Sequence, residues 1–183
     1  MRRVLIALCV AGCGLSSFAQ QASPPALPRV DRNACPFECC QFGRWTANQK
    51  VDVYSDWHRS RHRLFEIQKG EAVTAVTGVF VTYAPGRLRV LKDDPELHMK
   101  AGDTVLTYMY HGEGYFDFWV NGHSGNDQIY TALRCSSATK AETEPLCVVD
   151  EGDKEWWIRI KDASGRTGWV EGNSGFDGTD ACG

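Results

Sequence analysis

Short stretches of the chain alternate between apolar and polar residues, which is the pattern of β-strands with one buried face. Every second side chain is apolar within residues 115–120, and the same alternation occurs within residues 87–90. No segment places apolar residues at helical spacing over a length that predicts a helix. The pattern therefore predicts an all-β protein, with further strands at residues 51–54, 72–77, 79–83, 104–110, 156–161 and 167–171.

The residues between these segments favour tight turns. They are Pro-Gly at 85–86, Gly-Glu-Gly at 112–114, Asn-Gly at 121–122 and Asp-Ala-Ser-Gly at 162–165. The 183 residues also include 18 glycines, 6 tryptophans, 6 tyrosines and 8 phenylalanines, which suits short aromatic-rich strands better than helices. Many short strands with regular turns indicate a small barrel or sandwich.

The first 19 residues have the pattern of a signal peptide. Two arginines precede an apolar run over residues 4–15, and Ser17 and Ala19 supply the small side chains that cleavage requires. This run is too short to cross a bilayer as a helix, and no later apolar segment is long enough. We therefore expect a periplasmic or secreted protein without a transmembrane helix. A lipoprotein remains the alternative, because small residues precede Cys13 as in a lipidation site.

The charge of the chain argues against nucleic acid as a partner. The net charge is −3, and removal of the leader, which holds two arginines and no acid, leaves 18 basic and 23 acidic residues. Binding to phosphates needs a basic face, so an acidic chain of this size does not predict nucleic-acid binding.

Six cysteines remain after the leader, and an even number in an oxidising compartment predicts disulfides. They are Cys35, Cys39, Cys40, Cys135, Cys147 and Cys182. Cys135 and Cys147 flank a short polar loop and form the easiest local pair, while one bond from the group near residue 40 to Cys182 would tie the two ends together. A zinc or redox site at residues 35–40 is the alternative, but the Cys-x3-Cys-Cys spacing fits neither. We therefore predict no metal and no cofactor.

Four segments resemble three parts of a bacterial SH3-like domain. Val-Asp-Val-Tyr at 51–54 and Lys-Gly-Glu-Ala-Val at 69–73 are similar to the opening and the second strand. Trp-Trp-Ile-Arg-Ile at 156–160 and Gly-Arg-Thr-Gly-Trp-Val at 165–170 are similar to the closing hairpin. The resemblance implies a small SH3-like barrel and an exported binding module, rather than a catalyst, with peptidoglycan or peptides as ligands.

The resemblance also suggests how the chain is divided. Residues 20–34 are rich in proline and lack hydrophobic periodicity, which predicts a solvated linker before a β domain over residues 35–183. The segment at about 79–153 is longer than the family pattern requires and is interpreted as a large β insertion. Because residues 100–105 weakly repeat the theme of residues 69–73, a second interleaved barrel remains an alternative. We favour one compact unit.

The family resemblance places a ligand groove near Tyr54, Trp57 and Trp156. Tyrosine and tryptophan offer large, rigid contact areas, which suits a shallow groove. The alternative interpretation is that these side chains fill the interior of the barrel.

Residues 56–63 are unusually basic for an acidic protein. Arg59, Arg61 and Arg63 could bind carboxylates of a peptide or of an acidic partner through paired hydrogen bonds. The alternative is that these arginines pair with acidic groups elsewhere on the surface of the same chain.

Catalysis is the least favoured function. Cys39 or Cys40 would need a histidine beside it, and Glu113 would need Asp103 or Asp117 to form the acid/base pair of a wall-degrading glycosidase. Glu113 lies between two glycines, which predicts the tip of a turn. We therefore predict a non-enzymatic module that contacts the cell wall or peptide ligands. The alternative is an interaction or inhibitor module for an exported protein, and a cell-wall hydrolase is less favoured.

Overall fold

The computed structural model describes residues 23–136 and 144–182. The predicted signal peptide, Cys13 and residues 20–22 lie outside these residues. The described part of the chain is built from strands and contains no helix, which confirms the all-β prediction. It therefore includes no helix long and apolar enough to cross a membrane.

Seven of the thirteen strands in the described residues fall at or near segments that the alternation predicted, and six were not predicted. The strands are β1 (Arg29–Arg32), β2 (Gly43–Ala47), β3 (Val51–Tyr54), β4 (Arg63–Ile67), β5 (Ala72–Ala84), β6 (Gly86–Val90), β7 (Thr104–Gly112), β8 (Tyr115–Val120), β9 (His123–Gln128), β10 (Leu146–Asp150), β11 (Asp153–Asp162), β12 (Thr167–Glu171) and β13 (Phe176–Asp177). The two segments expected at 72–77 and 79–83 form one strand, β5, because no turn separates them.

The first sheet is a curled half-barrel in the order β13-β2-β5-β11-β12-β3-β4. The long strand β5 pairs with β11 along its length, while β2 and β1 pair with different halves of its other edge. The concave face encloses a core that includes Trp45, Trp156, Ile158 and Ile160. Trp45 meets Phe176 with ring centroids 5.6 Å apart, so β13 closes the edge of this core.

The second sheet has the order β10-β6-β7-β8-β9 and is antiparallel throughout. Its strands lie between β5 and β11 in the sequence, although β5 and β11 are neighbours in the first sheet. The second sheet therefore lies within the segment 79–153 where an insertion was expected. Its own core includes Val90, Val105, Phe118 and Val120.

Residues 29–32 correct the expectation of a linker over residues 20–34. They form β1, which pairs with Val79–Thr82 of β5 from Arg29↔Thr82 to Arg32↔Val79. The sequence Arg-Val-Asp-Arg has a single apolar residue and so shows no alternation, and its partner lies about fifty residues away. Its formation depends on tertiary pairing rather than on local pattern.

All six cysteines expected to be oxidised are bonded. The pairs are Cys35–Cys40, Cys39–Cys182 and Cys135–Cys147, with Cα atoms 5.5, 5.7 and 5.0 Å apart. The second bond joins the two ends of the folded region, and the third closes the local loop, as the spacing predicted. Three disulfides indicate an oxidising compartment.

Candidate ligand-binding cleft

Trp156 lies in the first core and not at a ligand surface. Its indole nitrogen donates to the carbonyl oxygen of Ala34 at 2.9 Å, and its ring meets Phe37 edge-on at 5.6 Å. Successive side chains of a strand point to opposite faces, so Trp157 faces the other side of β11. There it contacts Tyr54 with ring centroids 5.8 Å apart. This corrects the expectation that Trp156 shares a groove with Tyr54 and Trp57.

Residues 55–62, which we call the arginine loop, connect β3 to β4 and cover the outer face of β5 and β11. The backbone of Ser55 donates to His62 at 2.9 Å and closes the loop. Arg59 lies over the ring of Tyr83 at 3.7 Å and donates to Asp153 at 2.6 Å. Its guanidinium is therefore already held by an aromatic face and a carboxylate of the same chain.

Arg61 covers the outward-facing tryptophan. Its guanidinium carbon lies 4.1 Å from the ring of Trp157, and its nitrogens lie 3.7 Å from Glu155 and 3.9 Å from Glu171. Trp157 is fully buried, although it lies outside the first core. The aromatic surface that could have formed a groove is thus occupied by the chain's own arginine.

Arg63 and Trp57, the remaining residues predicted to bind a ligand, also contact side chains of the same chain. Arg63 forms ion pairs with Asp52 at 2.9 Å and with Glu66. Trp57 is half-buried and stacks on His58 with ring centroids 3.7 Å apart. The three arginines therefore match the alternative interpretation, in which they pair with acidic groups of the same surface. A ligand carboxylate would have to displace these pairs.

An open cleft lies elsewhere, between the disulfide loop at residues 35–40 and the hairpin of β7 and β8. Its volume is about 560 Å³. Its walls are formed by Phe37, Glu38, Cys39, His111, Gly112, Glu113, Tyr115, Asp117 and Asn126. Five of these side chains, those of Glu38, His111, Glu113, Tyr115 and Asn126, are exposed, so the cleft opens to solvent.

Gly112 allows the two walls of the cleft to approach each other. A Cβ atom at this position would lie 2.8 Å from the backbone nitrogen of Glu38, and the glycine has a φ of +97°. Glu113 follows with a φ of +50° and lies in the turn between β7 and β8, as the flanking glycines predicted. The disulfide loop and this turn are held side by side by backbone contact.

Asp117 is the polar centre of the cleft. One of its oxygens lies 2.9 Å from Nε2 of His111 and accepts from Asn126 at 3.0 Å, while the other accepts from Arg29 of β1. Burial opposes ionisation, but the hydrogen bonds from Asn126 and His111 and the charge of Arg29 outweigh it, so the pKa of Asp117 is lowered. Asp117 is therefore an ionised acceptor at neutral pH.

The acidic residues considered for catalysis lie in two different places. Glu113 and Asp117 both line the cleft, whereas Asp103 accepts from Asn121 at 2.6 Å, at the opposite end of β8. Cys39 and Cys182 place their sulfur atoms near the carboxylate of Glu38. Because these sulfurs are bonded to each other, they are not available as metal ligands.

No protein family, curated protein or solved structure matches this chain. The similarity to SH3-like domains therefore remains a hypothesis.

Proposed function

We propose that this protein is an exported, non-enzymatic binding module of the SH3-like type that contacts peptidoglycan through the cleft. The arrangement of the closing strands supports the family. Strands β11 and β12 form a hairpin, and β12 pairs with β3 at Trp169 and Tyr54. The open cleft carries the functional part of the proposal, because the groove beneath the arginine loop is filled.

The chemistry of the cleft suits a wall fragment. Tyr115 offers an exposed ring on which a sugar can stack, and the carboxylates of Glu38 and Glu113 accept hydrogen bonds from hydroxyl and amide groups. The amide of Asn126 has donor and acceptor atoms. Amino groups of the stem peptides would complement the excess of carboxylates in the cleft.

The state of Asp117 speaks against one role in hydrolysis, that of the general acid. A glycosidase needs a carboxylic acid that holds its proton near neutral pH, which requires a raised pKa. The pKa of Asp117 is lowered instead, and its oxygens accept from Asn126 and Arg29. This carboxylate is suited to organise His111 and Asn126 as fixed polar groups.

Sedimentation with purified murein tests the proposal. The protein lacking residues 1–19 should sediment with insoluble murein, and Tyr115→Ala and Glu113→Gln should each reduce the bound fraction several-fold. Both side chains are exposed, so the melting temperature should stay within a few degrees of that of the parent. Glu96→Gln, an exposed change between β6 and β7, is the matched control and should bind normally.

Three outcomes would contradict the proposal. The parent protein could remain in the supernatant, or the two cleft variants could sediment as well as the Glu96 control. A cleared zone in a murein zymogram would contradict the non-enzymatic part. Capture of one discrete exported protein, lost in the Tyr115 variant and without murein binding, would favour the interaction or inhibitor module instead.

A further inference from the structure

A second opening leads into the core of the second sheet. It is a pocket of about 230 Å³, which we call the second-sheet pocket. It is lined by Leu88, Thr107, Phe116, Ile129, Tyr130, Thr131, Ala132, Arg134, Val148 and Glu151. Half of these side chains, those of Leu88, Phe116, Ile129, Ala132 and Val148, are apolar, and Tyr130, which is 62% exposed, lies at its mouth. Apolar walls combined with a small number of placed polar groups are the usual form of a small-molecule site.

Lys154 of β11, in the first sheet, places a positive charge against two residues of the pocket wall. Its Nζ donates to the hydroxyl of Thr107 at 3.3 Å and lies 5.7 Å from the centre of the Phe116 ring. Both contacted residues line the pocket. The side chain of Thr107 is itself buried, so the ammonium lies beside an enclosed part of the wall.

The nearby acids do not pair with Lys154. Glu151 forms an ion pair with Arg134 at 2.8 Å, and Asp150 forms one with Arg87. Within residues 23–136 and 144–182, no carboxylate lies in ion-pair contact with the Lys154 ammonium. Burial lowers the pKa of Lys154, and the charges of Glu151 and Asp150 offset this only in part.

A half-buried ammonium with one neutral hydrogen-bond partner is incompletely satisfied. A carboxylate that entered the pocket beside Thr107 would supply the missing charge and accept from the remaining N–H groups of Lys154. The apolar walls formed by Leu88, Phe116 and Ile129 would cover the rest of such a molecule.

We propose that the second-sheet pocket binds a small carboxylic acid with an apolar body, whose carboxylate pairs with Lys154 beside Thr107. The volume limits the size of the ligand. A dry cavity of roughly 150 Å³ holds a benzene molecule, so about 230 Å³ holds a six-carbon ring with its carboxylate. This site is separate from the cleft, and the proposal does not depend on peptidoglycan binding.

Calorimetric titration with three probes of the same size tests this inference. Sodium benzoate should bind saturably, whereas benzylamine should bind at least about tenfold more weakly, because its charge would oppose that of Lys154. Lys154→Met should weaken benzoate binding by about tenfold or more and change the binding of benzyl alcohol by less than about twofold. Lys161→Met, an exposed change on the same strand, is the control and should leave benzoate binding unchanged.

Chemical-shift mapping of the unmodified protein keeps the test independent of any variant. Benzoate should shift the amide signals of Thr107, Phe116 and Ile129. The proposal is overturned if benzoate does not saturate, if its shifts map elsewhere, if benzylamine binds as tightly as benzoate, or if the Lys154 and Lys161 variants bind equally.

Discussion

The bond between Cys39 and Cys182 should contribute more to stability than the other two disulfides. A cross-link stabilises mainly by restricting the unfolded chain, and the effect grows with the logarithm of the loop length. The sequence separation of 143 corresponds to about 5 kcal/mol in this model, against about 3 kcal/mol for the separation of 12 between Cys135 and Cys147. The shorter loop lies within the longer one and reduces its effective length only slightly.

The contacts around this bond in the folded state are consistent with a mainly entropic contribution of the bond to stability. The backbone of Ala181 donates to Cys39 at 2.8 Å, and the backbone of Gln41 donates to Thr179 at 3.0 Å. These bonds hold the C-terminal segment in register with residues 39–41 even without the cross-link. Removal of the disulfide should therefore leave the native structure in place and act through the unfolded chain.

Paired serine substitutions measure how much each of these two disulfides contributes to stability. In thermal unfolding, Cys39→Ser with Cys182→Ser should lower the melting temperature by about 10–20 °C, and Cys135→Ser with Cys147→Ser by about 6–12 °C. Urea unfolding should give the same order of free energies. If removal of the 39–182 bond costs no more than removal of the 135–147 bond, the reasoning from loop length is refuted.

Three further predictions concern the first sheet, the cleft and the arginine loop. Gly78→Ala should lower the free energy of unfolding in urea by about 3 kcal/mol, because the added Cβ would lie 2.1 Å from the carbonyl oxygen of Ala34; a change below about 1 kcal/mol would contradict this contact. The folded-state pKa of Asp117 is lowered, so its contribution is complete above the ordinary aspartate pKa of about 3.9 and is lost as the pH falls through the folded value. Asp117→Asn should therefore flatten the decline of stability between about pH 5 and pH 2, and an unchanged slope would contradict the pKa direction. Arg61→Met should shift tryptophan fluorescence to longer wavelength by uncovering Trp157, and an unchanged spectrum would argue against this cover.

The strands that the sequence predicted are those in which the alternation of apolar and polar residues is visible within the segment itself. Strands β3, β8 and β12 have the expected bounds, because alternation and adjacent turn residues define them locally. Strand β9 was missed, since residues 123–128 contain no apolar side chain of strand type and become extended only by pairing with β8. β1, β2, β4, β10 and β13 were missed as well, and their length does not account for this, since β3 has only four residues and was predicted.

The side of the sheet on which a residue lies was harder to predict than its strand. Trp156 and Trp157 are adjacent and equally hydrophobic, and only the pairing with β5 determines which of them enters the core. The register shift opposite Arg159 and Ile160 adds a residue to β5, so that Ala75 and Phe80 both face the first core although they are five residues apart. The cleft could not be foreseen either, because Glu38 meets Gly112 through folding and not through proximity in the sequence.

The distribution of charge explains why the basic segment is engaged within the chain instead of being free for a ligand. The outer face of the first sheet carries Asp153, Glu155 and Glu171, and the arginine loop neutralises this face with Arg59 and Arg61.

By contrast, in the ranges 23–136 and 144–182, neither Glu38 nor Glu113 of the cleft forms an ion pair. Arg29, the arginine that reaches Asp117 of the cleft, is bound to Asp31 and Asp117. The negative charge of Glu38 and Glu113 therefore remains available to an external partner. A ligand that binds there should carry positive or hydrogen-bond-donating groups, and its affinity should fall as salt screens those carboxylates.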